Sequence, residues 1–445
     1  MSGSIASIEL RRGGALATGL LIAVPGLAGL VLVTSVGDGA PVWAGQWVQL
    51  ATFGRTMLLV LGPLAVTAGA WQGRRERRFR MDELLQTTSV SGWRRQLPLA
   101  LTTALCLALG DLLILVAGAP GMASDIGWSA KAGLAVAATG ATAVVAAGWL
   151  GFGIGRVCPF VFTPAVAGVG SALGLSTAFE AAKSGDDNLF LPVFAGQFTE
   201  YDTVASPVSI GQAVWFGGLA CGGLILALAT GRLTRPLALI PPLLGLAVAA
   251  PMLVVPAAVA DPRALTEVCT HDGGPRVCVI RIHAGDLSGL VGPARQALRR
   301  LATLPDSPTS VHEVTADRGY PQPASQVWFD SDNHQASGGW GTRTPDELTV
   351  RILLGGGTRQ CARSQEDGTY LAVRRARVVV AAWLYGTYPA PGLVAAVPAE
   401  EKARTTAWQQ LSELPANEQE RRVAAVRAAG LTCGDQAAAA AGSSR

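Results

Sequence analysis

Two ionisable side chains, Arg55 and Asp111, interrupt the otherwise apolar runs Val48–Trp71 and Leu97–Gly118. Charge removed from water is costly. Such residues therefore pair, line a polar cavity or serve an ion or substrate pathway. Arg55 is eight residues inward from Trp47, and Asp111 is seven residues before Gly118. If the two runs are helices of opposite direction, a rise of ~1.5 Å per residue puts both charges roughly 10–12 Å below the same boundary. They are expected to face one another or share a polar cavity, either as a buried pair that fixes packing or as part of a pathway.

Other chemistry is sparse. His312-Glu313 opens like a zinc-peptidase helix, but position 316 is alanine, so H-E-x-x-H fails, and no G-x-S-x-G is present. The four histidines, His271, His283, His312 and His334, are scattered and read as exposed or hydrogen-bonded singles. A phosphate-cradling Walker A loop needs Gly-Lys followed by Ser or Thr. The three lysines, Lys131, Lys183 and Lys402, do not follow glycine, so the chain carries no such ATPase site. No enzymatic activity, cofactor or metal site is expected. Cys269, Cys278, Cys361 and Cys433 form an even late set, which in an exported domain suggests two disulfides. His271-Asp272-Gly273-Gly274 is a turn signal that favours Cys269–Cys278; Cys361–Cys433 then remains. Cys106, Cys158 and Cys221 fall in or beside apolar runs, where cysteine acts as a small apolar residue.

The elements that must position these residues follow from composition. Half of the 445 residues are hydrophobic, 15% are charged and mean hydropathy is +0.36, which indicates the membrane class. Seven runs approach the length that spans a ~30 Å hydrocarbon core. They are Ala15–Val36, Val48–Trp71, Leu97–Gly118, Ala132–Gly155, Phe160–Phe179, Ile210–Thr230 and Pro236–Ala260, the last one kinked by its prolines. With a cytoplasmic N-terminus, the inner segments hold twelve arginines: Arg11, Arg12, Arg74, Arg75, Arg77, Arg78, Arg80, Arg94, Arg95, Arg156, Arg232 and Arg235. The outer loops hold only Lys131 and Lys183, so the positive-inside rule fixes that orientation. The first run exceeds a signal-peptide core in length and reads as an uncleaved helix. Seven crossings leave everything after Ala260 outside. Arginine outnumbers lysine 32 to 3, which together with the alanine excess points to a high-GC bacterial genome and a bacterial plasma membrane. The net charge of +4 reflects topology rather than nucleic-acid binding.

The expected fold is an α-helical polytopic membrane protein over residues 1–260 with an extracytoplasmic α+β domain over 261–436. Residues 437–445 read as a disordered low-complexity tail. Within the second domain, Val277–Ile282, Thr349–Leu354, Val311–Thr315 and Gln326–Asp330 read as strands. Ser288–Ala302, Leu371–Leu384, Ala399–Leu414 and Asn417–Ala429 read as helices. The outer loop 180–209 mixes acids with Phe190, Phe194, Phe198 and Tyr201, as would a segment dipping into the outer leaflet or an ordered loop with an aromatic core. Gly151 with Gly155, and Gly170 with Gly174, are small-xxx-small pairs.

Residues 74–95 carry the clearest local pattern. Five arginines occur between Arg74 and Arg80. Met81, Leu84, Leu85 and Thr88 then fall at i, i+3, i+4 and i+7, a mostly apolar stripe with Asp82 and Glu83 near its start. Such a helix lies on a membrane surface or docks into a groove of a soluble subunit. A helix hairpin, this block, then Glu83-Leu84-Leu85-Gln86-Thr87-Thr88-Ser89-Val90-Ser91 and a third helix resembles the permease subunits of ABC-2-type ATP-binding-cassette transporters. Ser89 stands where a proline is common, and a seventh span with an external domain goes beyond the six-span form. The resemblance covers roughly residues 10–235. It implies that Met81, Glu83, Leu84, Leu85 and Thr88 belong to a coupling helix that docks on a separate ABC ATPase. It also implies a dimer of membrane subunits in the lipid bilayer and export of a substrate. The alternative is a non-transporting, membrane-anchored sensor or binding protein that acts through its external domain.

Overall fold

The computed structural model describes residues 14–36, 47–75, 92–122, 130–183, 189–194, 198, 201–229, 234–314, 319–330, 343–361, 369–393 and 397–442. The chain divides into two compact units, Met1–Asp261 and Pro262–Arg445.

The first unit contains α1 (Ala15–Val36), α2 (Trp47–Gly73), α3 (Gly92–Gly118), α4 (Ala130–Val157), α5 (Thr163–Lys183) and α6 (Ser206–Leu228). A broken segment follows, with α7 (Ile240–Ala249) flanked by 3₁₀ turns at Arg235–Leu239 and Ala250–Met252. Seven helical segments are thus long and apolar enough to cross a membrane. Outward-facing Leu20, Val31, Leu112, Leu173 and Leu243 are exposed, an apolar surface far beyond what a water-soluble monomer presents. The seventh segment is shorter than the sequence suggests. It ends at Met252, because Pro251 and Pro256 deny the helix its amide donors, and Ala258–Ala260 forms strand β2. That strand pairs antiparallel with β1 (Asp202–Val204).

Parallel packing of α2 on α4 organises this unit. Trp47 meets Gly133, Arg55 meets Gly140, Val66 meets Gly151 and Ala70 meets Gly155, a constant register along both helices. A Cβ added at Gly69, Gly73, Gly151 or Gly155 would overlap the backbone carbonyls of Gly148, Phe152, Val66 and Ala70 respectively. Only glycine permits this approach, and close van der Waals contact is what holds helices together in an apolar solvent. The pair Gly170 and Gly174 on α5 has the same spacing but nothing within 4 Å.

The second unit carries a four-stranded sheet in the order β3 (Glu267–Cys269), β4 (Arg276–Ile280), β5 (Ser310–Val314), β6 (Gln326–Asp330). The β3–β4 pair is antiparallel, while β4–β5 and β5–β6 are parallel. Helix α8 (Leu287–Leu301) makes the β4–β5 crossover, as parallel strands require. Its Leu290, Ala294, Leu298 and Leu301 recur at helical spacing and bury against Val277, Val279, Val311 and Val327 of the sheet. Thr349–Leu354, expected as a strand, lies instead in α9 (Pro345–Leu353) and the turn after it. The local reason is a capping box: Glu347 N–H donates to Thr344 Oγ1 at 3.3 Å and Thr344 N–H to Glu347 Oε2 at 2.9 Å, with Pro345 at the first helical position. Gly355, Gly356 and Gly357 then run consecutively through left-handed φ of 60°, 69° and 76°, a path closed to residues with a Cβ.

Four helices complete the unit: α10 (Tyr370–Tyr385), α11 (Pro398–Ser412), α12 (Ala416–Leu431) and α13 (Gln436–Ala441). The last corrects the expected disorder over Ala437–Ala441; residues 443–445 of that tail lie outside the described residues. Asp435 Oδ1 accepts from Ala437 and Ala438 N–H, each at 2.9 Å, and so caps the start of α13. Gln436 and Ala439 are buried. An all-alanine stretch has strong helix propensity, and composition alone hides that.

Candidate functional site

The polar centre of the first unit is assembled from four helices and one loop. Arg55 on α2 is eight residues from the helix start, Gln212 on α6 six, Gly140 on α4 ten, and Asp111 on α3 seven from the helix end. Each is roughly 9–15 Å along its helix from the same end of the bundle at ~1.5 Å per residue. Arg55 and Gln212 are 1% exposed and Asp111 6%, so three strongly polar side chains are shielded together.

Arg55 fixes a segment that sequence reasoning placed only as part of an outer loop. Its Nε donates to the carbonyl of Pro192 at 2.5 Å and its Nη2 to Gln212 Oε1 at 3.1 Å. Gln212 Nε2 donates to Leu189 O at 2.9 Å and to Leu191 O at 3.5 Å, and Trp215 Nε1 donates to Phe190 O at 3.0 Å. Irregular backbone enclosed among apolar helices must have its carbonyls satisfied. Arg55, Gln212 and Trp215 supply donors to all four carbonyls from Leu189 to Pro192. The guanidinium also lies 4.8 Å from the Phe194 ring centre and 5.8 Å from that of Phe216. Residues 189–194 are therefore a loop tucked into the bundle with Leu189, Val193 and Phe194 buried. The aromatic residues of 180–209 signalled this. Gln212 was missed, although a lone glutamine inside an apolar run carries the same meaning as a lone charge.

The structure brings Arg55 and Asp111 to one cavity, whose walls include Gly54, Ile114 and Gly140. It leaves ≈ 10 Å³ for a water centre, room for about one molecule. Arg55 Nη1 is buried without a hydrogen-bond partner. Arg55 and Asp111 thus line the same small cavity without a direct hydrogen bond or ion pair between them, and it has space for water but for no larger ligand. A second opening, ≈ 170 Å³ and apolar, lies beside it between Leu58, Val66, Val144, Leu175 and Pro192.

The arginine block begins at the opposite end of the same helix. Arg74 is buried, and its Nη1 donates to Val161 O in the turn between α4 and α5. Met81, Glu83, Leu84, Leu85 and Thr88 lie outside the described residues.

In the second unit Cys269 bonds to Cys278 and Cys361 to Cys433, spanning 9 and 72 residues. Cys269 and Cys278 are direct cross-strand partners in the β3–β4 hairpin, whose turn has Gly273 at φ 75°. Two described histidines are hydrogen-bonded. His283 Nδ1 is 2.5 Å from Glu313 Oε1, with both side chains buried, and Glu313 Oε2 accepts from Ile280 N–H. His312 Nδ1 is 3.0 Å from Glu267 Oε1. Cys278 Sγ lies near Glu267 and His312, but its disulfide leaves no thiolate to ligate a metal there. Arg375 on α10 grips Glu400 on α11 with two bonds, Nε–Oε1 at 3.1 Å and Nη2–Oε2 at 2.7 Å. The hydrogen bond from Arg375 holds the Glu400 carboxyl below its ordinary range. A lowered folded-state pKa stabilises above the unfolded value and stops doing so as pH falls through the folded one. The difference in thermal midpoint between wild type and Glu400→Gln is thus expected to be full above about pH 5 and to shrink as acid passes below the carboxylate range. A thermal unfolding series across pH checks it; a difference that persists unchanged at the acid end refutes the assignment.

Comparison with family models, with curated proteins and with solved structures found no match.

Proposed function

We propose that the chain is a permease-like, membrane-spanning subunit of the ABC-2 type that works with a separate ATPase to export a substrate. One observation supports this reading best. A single helix, α2, carries Arg55 and the tucked loop at one end and runs into the arginine-rich block at the other. Its close glycine packing on α4 makes the pair a stiff strut. A displacement at residues 74–95 would reach the polar centre along one rigid element, which is what coupling to an ATPase demands. In this reading the arginine asymmetry orients that block toward the cytoplasm and the second unit outward, in a bacterial plasma membrane; the ABC-2 resemblance adds a homo- or hetero-dimer of membrane subunits.

The test is co-purification with a Walker-A-bearing ATPase encoded beside this chain. Leu84→Asp or Leu85→Asp puts a charge into the apolar stripe and is expected to weaken capture by roughly a hundredfold, since an unpaired charge buried at such a contact costs about 3 kcal/mol. Full retention of the ATPase by both variants would exclude the coupling assignment.

The second reading, a membrane-anchored sensor or binding protein, rests on a separate feature. The second unit has an open cleft of ≈ 330 Å³, within the size range of small-molecule sites. Tagging residues 76–91 and the C-terminus in intact cells tests the topology common to both readings. Exposure of the two tags to the same compartment would refute it.

A further inference from the structure

The cavity of the second unit lies where α10, α11, α12 and α13 meet. It exists because the contacting positions carry very small side chains. Ala376 of α10, Ala407 of α11, and Ala437 and Ala440 of α13 line it. Its floor is Val379, Val380, Leu411, Val423 and Val426, each 8% exposed or less. The cleft is open to solvent on one side, and its ≈ 330 Å³ falls within the range of small-molecule sites.

The polar lining is limited to Gln410, Arg375 and Arg422. The arginines come from opposite walls, α10 and α12, and their side chains are 32% and 28% exposed. Both are already oriented. Arg375 is held by Glu400, and Arg422 Nε donates to Glu418 Oε1 at 2.9 Å while Nη1 approaches Ala440 O at 3.5 Å. A guanidinium has five N–H donors, so each retains donors after these bonds. An aliphatic floor with two oriented guanidiniums on its lining, each with donors left beyond its carboxylate partner, suits an aliphatic chain with an anionic end.

We propose that this cavity binds a single medium-length aliphatic chain ending in an anionic group, a fatty-acid-like amphiphile. The chain lies among Val379, Leu411, Val423 and Val426, and the head group is recognised by Arg375 and Arg422. This goes beyond the transport reading and does not depend on it.

The test uses the full chain in lipid nanodiscs and a diazirine-bearing decanoic acid, with adducts located by peptide mass mapping after illumination. Adducts are expected on the peptides carrying Val379 and Val423, in excess of those on the outward faces of α1 and α5. Unlabelled decanoate should compete, and decanol should compete roughly tenfold less well. Ala376→Trp and Ala440→Trp each fill the cavity from a different helix and should reduce the adduct yield by roughly tenfold. Intact disulfide mass and an unchanged thermal midpoint establish that each variant is folded. Ala440→Trp, on the short last helix, serves if the α10 variant does not fold. Unchanged labelling in a folded tryptophan variant overturns the site. Equal competition by decanol and decanoate overturns the anionic head group.

Discussion

Replacement of Gly69 by leucine is expected to abolish the helical bundle. A Cβ at this position overlaps the carbonyl oxygen of Gly148, which is backbone and cannot swing aside. Overpacking that side chains can absorb costs about 1–3 kcal/mol. Here α2 and α4 must separate along their shared register, so the loss should exceed about 3 kcal/mol, a large part of a typical domain's stability. Gly151→Leu, facing Val66 O from the other helix, should behave alike. Gly170→Ala on α5 should cost no stability, because nothing lies within 4 Å of that Cβ and alanine is the better helix former. Size-exclusion profiles and thermal midpoints in detergent measure all three. A monodisperse Gly69→Leu protein with the wild-type midpoint would refute the close α2–α4 contact.

The second large effect concerns Arg55. Arg55→Met removes the donors to Pro192 O and to Gln212 Oε1 and leaves Asp111 as an uncompensated buried carboxyl. Removing one partner of a buried charged group costs about 3–5 kcal/mol. The tucked loop is also expected to leave the bundle. A cysteine placed at Leu191 should then react with a membrane-impermeant maleimide much faster in Arg55→Met than in the wild-type background. Adding Asp111→Leu to Arg55→Met should recover part of the lost stability, because the orphaned carboxyl goes with it. Strict additivity of the two substitutions would show that Arg55 and Asp111 do not act together. An unchanged labelling rate at position 191 would show that Arg55 does not hold the loop.

The glycines and Arg55 mark how far sequence reaches. The helical segments were legible because an apolar run of about twenty residues has few alternatives. Ala15–Val36 has the same limits in pattern and structure. The seventh differs because its length was read from hydropathy, whereas its end is set by prolines that interrupt the backbone ladder. The Cys269–Cys278 bond was legible because a hairpin turn is a local event, and the strand assigned at Thr349–Leu354 failed because the decisive signal, Thr344 to Glu347, lies just outside that window. Gly151/Gly155 and Gly170/Gly174 look identical as strings. One pair is the tightest kind of contact and the other touches nothing, a difference that exists only once α2 has chosen its neighbour.

By itself the sequence determined which long apolar segments are helical, that Arg55 and Asp111 cannot remain alone in an apolar interior, and which cysteines lie close enough along a hairpin to bond. These depend on periodicity, charge and short chain separation, which are properties of the string. Tertiary structure alone decided that Gln212 and the carbonyls of 189–192 complete the surroundings of Arg55 and that four helices bring their alanines together around an open cleft. Those facts depend on residues as far as 157 positions apart meeting at atomic distances, and no local pattern encodes which of many apolar faces will pack together.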